Sequence, residues 1–312
     1  MDETAIGRLA ETLVKAGIPT ENVLVNEPMA RHTTFQVGGP ADVFLRARGA
    51  ADVAAARAAA TEAGTSCRIV GCGSDLLVAD AGLRGVVVEV GALMSAVAIE
   101  GATLRAQAGA TNAQVAQAAL AARLSGYEFA SGIPGGIGGA AVMNAGAYGG
   151  EFKDVARSVT CLFPDGTTRE VGAQEADWSY RRSMMGEAGL VVLAATLILR
   201  PGDPAEIRAL MDDLAQRRAN KQPLELPSAG STFKRPTGYF AGKLIQDAGM
   251  QGHRVGGAQV STKHAGFVVN TGGATAADVR QVIADVQAAV KAQFNVELEP
   301  EVKLWGFEEE RA

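Results

Sequence analysis

Apolar positions recur along this chain with two periods, and the period switches several times. Residues 4–17 carry a helical stripe, "ADVFLRAR" (41–48) reads as a strand, and the Ala-rich stretch 51–63 as a helix. "CRIVGCGSDLLVAD" then reads as strand, glycine turn, and strand or loop, and "GVVVEV" (85–90) as a β-branched strand. A second cycle begins with the strand 103–110, and Thr111 with Gln114 forms a capping-box pattern ahead of a helix over 112–123. "SVTCLF" and "TTREV" are strands joined by a turn at Pro164-Asp165-Gly166, and 190–200 is another strand. Pro201-Gly202-Asp203-Pro204 marks a boundary. Asp203 suits a cap, Pro204 the first helical position and Glu206 the third member of a box, so a helix runs to about Asn220. Strands follow near 258–270. A helix from about Thr275 to Phe294 shows Val279, Val282, Ile283, Val286, Val290 and Phe294 at helical spacing. The alternating tail "VELEPEVKLWGF" predicts a strand. No repeat of solenoid period is present, and the pattern is that of an α+β protein of two or three domains.

Composition narrows the class. A chain of 312 residues suggests about two domains. Its 47% apolar and 20% charged content is ordinary for a globular protein, so disorder is not expected. A formal net charge of -5 argues against a nucleic-acid partner. Cys67, Cys72 and Cys161 form no CxxC pair, and with three histidines in the chain no metal site is expected. Free thiols suit a reducing cytosol. The start lacks an apolar signal region, and the longest apolar run, Leu190 to Leu199, is too short to span a bilayer. A cytoplasmic protein without a membrane partner is the expectation.

The 38 glycines cluster. "GCGSDLL" (Gly71 to Leu77) and "ASGIPGGIGGAAVMNAGAYGG" (Ala130 to Gly150) are the dense blocks, and "RHTTFQVGGPADVF" (31–44) ends Gly-Gly-Pro before a strand. A dinucleotide fingerprint fails in the first block, where Leu76 stands at the third glycine. The second block fits only the looser form, with Ala141 there and no typical strand before it. No Lys-Ser/Thr follows to make a Walker loop. Successive N–H groups on glycine turns still form concave anion sites, so the blocks read as a ligand cradle between two α/β units.

Few polar residues stand out for chemistry. Ser231 is flanked by Ala229 and Phe233 where a hydrolase elbow needs glycines. His32, His253 and His264 have no Ser or Cys partner in sequence, and HExxH is absent. "DWSYRRSMM" presents Tyr180, Arg181 and Arg182, which could equally be a solvated pair of arginines. "LEPEVKLWG" puts Glu299, Glu301 and Lys303 on one face of a strand, which could equally be an exposed charged face.

Taken in order, "HTTFQVGGPAD", "GCGSDLLV", "SGIPGGIGGAAVMNAGAYGGE", "SYRRS", "KQPLELPSAGSTFKRP", "AGKLIQDAGMQGHRVGGAQVSTKHAGFVVN" and "LEPEVKLWG" span about residues 31–306. This ordered set closely resembles the UDP-N-acetylenolpyruvoylglucosamine reductases, flavin enzymes of peptidoglycan precursor synthesis, and the shorter branch of them. The resemblance implies a two-lobed FAD-binding α+β domain of the vanillyl-alcohol-oxidase kind over 1–202, with lobes of about 1–90 and 91–202. A smaller α+β substrate-binding domain over 203–296 and a tail over 297–312 returning to the active site would follow. It implies non-covalent FAD held by Val37, Gly38, Gly39, Gly71, Cys72, Gly73, Ser74, Asp75, Leu76, Ile133, Pro134, Gly135, Gly136, Gly138, Gly139, Asn144, Ala145 and Gly146. NADPH would reduce the FAD and leave, the UDP-sugar enolpyruvyl ether would enter, and hydride would pass to its vinyl carbon.

Carried over position by position, Arg181 and a protonated Glu301 would stabilise the enolate-like charge, and Ser231 would donate the proton. Lys234 would help the serine. Tyr180, Lys221, Lys234, Arg235, Lys263 and His264 would line the substrate pocket. The chain departs from the family's pattern where Arg235 replaces an asparagine and where Cys72 and Asp75 replace Gly and Asn. It lacks the inserted loop that carries a substrate-capping tyrosine in the other branch. A monomer is expected. The alternatives are an FAD oxidase of the same superfamily and a nucleotide-sugar binding protein without catalysis.

Overall fold

The computed structural model describes residues 1–307. A four-stranded sheet comes first, in the order Val23–Pro28, Pro40–Arg46, Leu83–Glu89, Cys67–Val70. Its outer pair is antiparallel and the other two pairings are parallel, as the intervening helix Ala50–Glu62 requires. An all-antiparallel five-stranded sheet follows, ordered Thr168–Gly172, Ala156–Leu162, Val191–Ile198, Thr103–Gln107, Val97–Glu100. Helix Ile137–Val142 packs on it, and in the preceding helix Asn112–Ala121 the capping box forms as expected, with the Thr111 side chain accepting from the Gln114 N–H.

One continuous core joins both sheets, from Ile6 through Leu197 to Ile207 and Met211. The last two belong to helix Pro204–Lys221, so that helix packs its first half on the unit that holds the two sheets. Asp203 caps it by accepting from the N–H groups of Ala205 and Glu206. The capping is one-sided, and Glu206 does not close the box that the sequence suggested.

A second core surrounds the helix Ala276–Phe294. The helix buries Val279, Val282, Ile283, Val286 and Val290 completely against a three-stranded antiparallel sheet of Arg254–Val255, Ala258–Val260 and Val268–Asn270. Each such side chain stabilises the fold by about 1.5–3 kcal/mol. The N–H groups of Ala276 and Ala277 are capped by Asp80 at 2.8 and 2.9 Å, which ties the helix to the first unit.

The tail differs from its expected single strand. Only Lys303–Trp305 is a strand, and it pairs in parallel with Leu76–Val78. Ahead of it Pro300 makes an isolated bridge with Phe233, flanked by the Lys234 N–H bonding the Glu299 carbonyl and the Glu301 N–H bonding the Thr232 carbonyl, so the missing proline donor is not needed there. The predicted tail beyond residue 307 lies outside the described residues. Among the described residues no helix is long and apolar enough to cross a membrane.

Candidate active site

The turn Gly71–Asp75 links strands Cys67–Val70 and Leu76–Val78. Its back rests on His32: a Cβ at Gly73 would lie 2.0 Å from the His32 carbonyl oxygen, and the Thr34 N–H bonds the Gly73 carbonyl at 3.1 Å. His32 sits between Glu27 and Glu89, at 3.0 and 3.5 Å, and stacks on Phe44. Burial lowers the histidine's pKa, but its bonds to Glu89 and Glu27 outweigh this and raise it overall.

The second loop faces the first. Asn112 fixes it, donating from its backbone N–H to the Gly135 carbonyl and from Nδ2 to the Ile133 carbonyl, while the buried Tyr127 hydroxyl donates to Asn112 Oδ1. Ser74 Oγ donates across to the Pro134 carbonyl at 3.4 Å. The N–H groups of Cys72, Gly73, Ser74, Gly135 and Gly136 have no partner among the described residues. A Cβ at Gly71 or Gly139 would meet nothing within 4 Å. Two facing rows of free donors around open space are what a diphosphate requires. The residues present fit FAD.

Several of the predicted positions also pack against the protein. A Cβ at Gly38 would meet Val78 Cβ at 2.9 Å, and one at Gly39 would meet the Asp80 carbonyl oxygen at 2.0 Å. Val37 is buried in the second core and Leu76 in a third, smaller one. These positions hold the cradle's wall together. Gly138 packs on Ala108, and Gly146 on the Gly150 carbonyl. Asn144 is 1% exposed, and its side chain is fully used: Nδ2 donates to Glu151 and the Ser179 carbonyl, and Oδ1 accepts from the Lys153 N–H. Ile133, Pro134 and Ala145 stay in the second block around this prop.

Asn144 thereby holds the turn that carries the predicted catalytic arginine. Ser179 and Arg182 exchange backbone hydrogen bonds, leaving Tyr180 and Arg181 at the tip. Arg181 has φ of +55°, in the left-handed region that a side chain rarely adopts. From there its Nε donates to Glu301 Oε1 at 2.6 Å. Glu301 is 16% exposed, and burial raises its pKa. Arg181 pulls the value down and Asp75 pushes it up. Burial likewise raises Asp75, against the pull of Lys303 and Arg181. The arginine also faces Glu151, whose pKa is lowered chiefly by its bond to Lys153.

Ser231 comes to the same corner through its neighbour. Thr232 is fully buried, and its N–H donates to the Gly266 carbonyl. Its carbonyl accepts from the Glu301 N–H at 2.9 Å, and its hydroxyl accepts from the Val268 N–H at 3.0 Å. Ser231 itself is exposed, and its hydroxyl bonds to no described residue. Lys234 pairs with Glu299 instead of the serine.

The predicted substrate residues fall in two groups. Tyr180, Lys234 and Arg235 stand together, with the Arg235 N–H donating to the Tyr180 hydroxyl at 3.2 Å. Lys221, Lys263 and His264 form the other group, where burial, and then the Lys221 charge, lower the His264 pKa. Lys263 Nζ donates to the Ala219 carbonyl at 2.8 Å. Sequence reasoning missed Arg218, a half-buried guanidinium 3.1 Å from where a Gly132 Cβ would stand; burial lowers its pKa, with Tyr148 opposing. Its spacing of three from Lys221 on one helix face was the available signal.

Residues 41–172 match the family described as FAD binding domain, so this is a flavin-binding oxidoreductase. Residues 222–305 match the C-terminal domain of UDP-N-acetylenolpyruvoylglucosamine reductase. The chain is similar to the reductase of that name from Agathobacter rectalis, at 48% identity over 98% of this chain and 99% of the relative. It is also similar to the one from Caldanaerobacter subterraneus subsp. tengcongensis, at 47% identity with the same coverage. A crystal structure of UDP-N-acetylenolpyruvylglucosamine reductase from Thermus caldophilus superposes with a TM-score of 0.78 at 32% identity, covering 91% of this chain and 98% of that one. The chain belongs to the UDP-N-acetylenolpyruvoylglucosamine reductase family, FAD-dependent oxidoreductases of peptidoglycan synthesis that use NADPH as co-substrate.

Proposed function

We propose that Arg181, Glu301 and Ser231 carry the reductive half of this reaction on the UDP-sugar enolpyruvyl ether. The observation that supports this most is the 2.6 Å Arg181–Glu301 bond beside a serine held by the Thr232–Glu301 backbone link. Bound FAD, once reduced by NADPH, supplies the hydride that adds to the vinyl CH2. Negative charge then develops on the adjacent carbon and its carboxylate. Arg181 meets that charge with a fixed guanidinium, and Glu301 donates a hydrogen bond from its protonated form, toward which burial shifts it. The Ser231 Oγ–H bond breaks as a C–H bond forms on that carbon, completing the lactyl ether, and water reprotonates the exposed serine oxygen.

FAD is bound by the two glycine rows of 71–75 and 135–139, and Lys221, Arg218, Lys263 and His264 contribute cationic or polar groups to the nucleotide. Residues 1–202 act as the flavin unit in two lobes and 203–296 as the substrate unit, with the segment from 297 returning Glu301 to the flavin. The protein works as a monomer in the cytoplasm, without nucleic-acid or membrane partners, a reading in keeping with its net charge of -5.

Anaerobic stopped-flow on Ser231→Ala tests the assignment. NADPH should bleach the flavin at the wild-type rate, while reoxidation by the enol ether falls at least ~100-fold. Reoxidation within about tenfold of wild type would remove Ser231 as the acid.

A further inference from the structure

Tyr180, Tyr239 and Phe240 remain 49%, 48% and 62% exposed beside the Arg181 turn. Large aromatics gathered on a surface mark a binding site more often than chance exposure. Arg235 links all of them. Its N–H donates to the Tyr180 hydroxyl at 3.2 Å, its Nε donates to the Tyr239 carbonyl at 3.4 Å, and its guanidinium carbon lies 4.0 Å from the Phe240 ring centroid. The guanidinium is thus held against Phe240, whose ring is otherwise largely bare. The patch is continuous with the reaction corner, since the Arg181 guanidinium lies 5.1 Å from the Tyr180 ring centroid.

The backbone supports the same conclusion. Phe240 is the N-cap of helix Ala241–Asp247, and no side chain caps that helix. Ser, Thr, Asp or Asn would stabilise this position, so an aromatic here gives up a local preference. Such a broken local rule at a solvent-facing site is the mark of a functional residue.

Flat aromatic faces interleaved with a guanidinium suit a planar, polar ring that stacks on its π-face. We propose that Tyr239 and Phe240, with Arg235 laid against Phe240, form a stacking platform for the nucleobase of the UDP-sugar, and that Tyr180 bounds it on the side of Arg181. This rests on the proposed assignment of the enol ether to the Arg181–Glu301–Ser231 corner. In an extended nucleotide sugar the base lies at the opposite end from the reacting group, outward along this patch. NADPH offers the same stacking chemistry, so the test separates the two.

Isothermal titration of the FAD-loaded protein with UDP, and separately with 2′,5′-ADP, makes that separation. Replacing both rings (Tyr239→Ala with Phe240→Ala) should weaken UDP about tenfold or more, as loss of aromatic stacking does, and leave 2′,5′-ADP within twofold. Exchanging the rings (Tyr239→Phe with Phe240→Tyr) should keep UDP within about threefold of wild type, which excludes loss of fold as the cause. Unchanged UDP affinity in the double alanine variant would overturn the platform while leaving the catalytic assignment standing. A selective loss of 2′,5′-ADP would assign the rings to NADPH and equally overturn it. Failure of UDP to bind the wild-type protein would instead overturn the underlying substrate assignment together with the platform.

Discussion

Gly73 and Arg181 share almost one φ, +57° and +55°, one on the glycine turn and the other at the proposed reaction corner. At Gly73 the conformation is free of strain, and the His32 carbonyl leaves no room for a Cβ. At Arg181 the left-handed geometry costs about 1–2 kcal/mol and is retained because the guanidinium must reach Glu301. The cradle is therefore built from backbone and excludes side chains. The reaction corner is built from side chains and tolerates a strained backbone.

Arg181→Gly should expose the difference most sharply. It relaxes the turn yet removes the cation, so reduction of the enol ether should fall by ~1000-fold, the order seen when one preorganised donor is lost. FAD content by absorbance should hold; its loss would move Arg181 to the cofactor. Gly73→Ala inverts the logic. With a Cβ 2.0 Å from a carbonyl oxygen, it should destabilise the protein by about 3 kcal/mol and release FAD on gel filtration. Full FAD retention at an unchanged Tm would show that the turn can move.

Asp75 sits on the cradle turn but acts electrostatically on the corner. Its charge raises Glu301. If Glu301 acts protonated, as proposed, activity should persist below its raised pKa and fall as pH rises through it. Asp75→Asn removes a neighbouring negative charge, lowers the Glu301 pKa and should move the alkaline limb of kcat to lower pH. The pH dependence of flavin reduction by NADPH should not follow; a shift in both would mean that Asp75 acts on the flavin.

The smallest effect belongs to Gly139→Ala. It lies in helix Ile137–Val142 with nothing within 4 Å of the place its methyl would take, so the apo-protein should gain about 0.5–1 kcal/mol while FAD binds more weakly. Weaker binding without destabilisation would separate ligand glycines from packing glycines.

That separation is where the sequence stops being legible. Element types followed from periodicity: the buried stripe of Ala276–Phe294 and the Thr111–Gln114 box formed as expected. Glycine density pointed to the cradle, yet Gly39 and Gly71 look alike in sequence, and only the Asp80 carbonyl beside one of them tells them apart. The identities of Arg181, Ser231 and Glu301 came from family resemblance, because no local spacing joins them. Thr232 carries no sequence signal at all, since its importance lies in hydrogen bonds to Gly266, Val268 and Glu301. Alternation marked the tail as one strand, but it changes partners: Glu299 and Glu301 bond to the 232–234 segment, and only Lys303–Trp305 pairs with Leu76–Val78.

The pairing of Leu76–Val78 with Lys303–Trp305 also sets a schedule. During synthesis the first strand leaves the ribosome roughly 10–45 seconds ahead of the second, at ordinary elongation rates. For that interval the Gly71–Asp75 turn lacks its neighbouring strand, and Arg181 lacks Glu301. The proposed cradle and the proposed reaction corner are thus both completed only when residues 299–305 emerge.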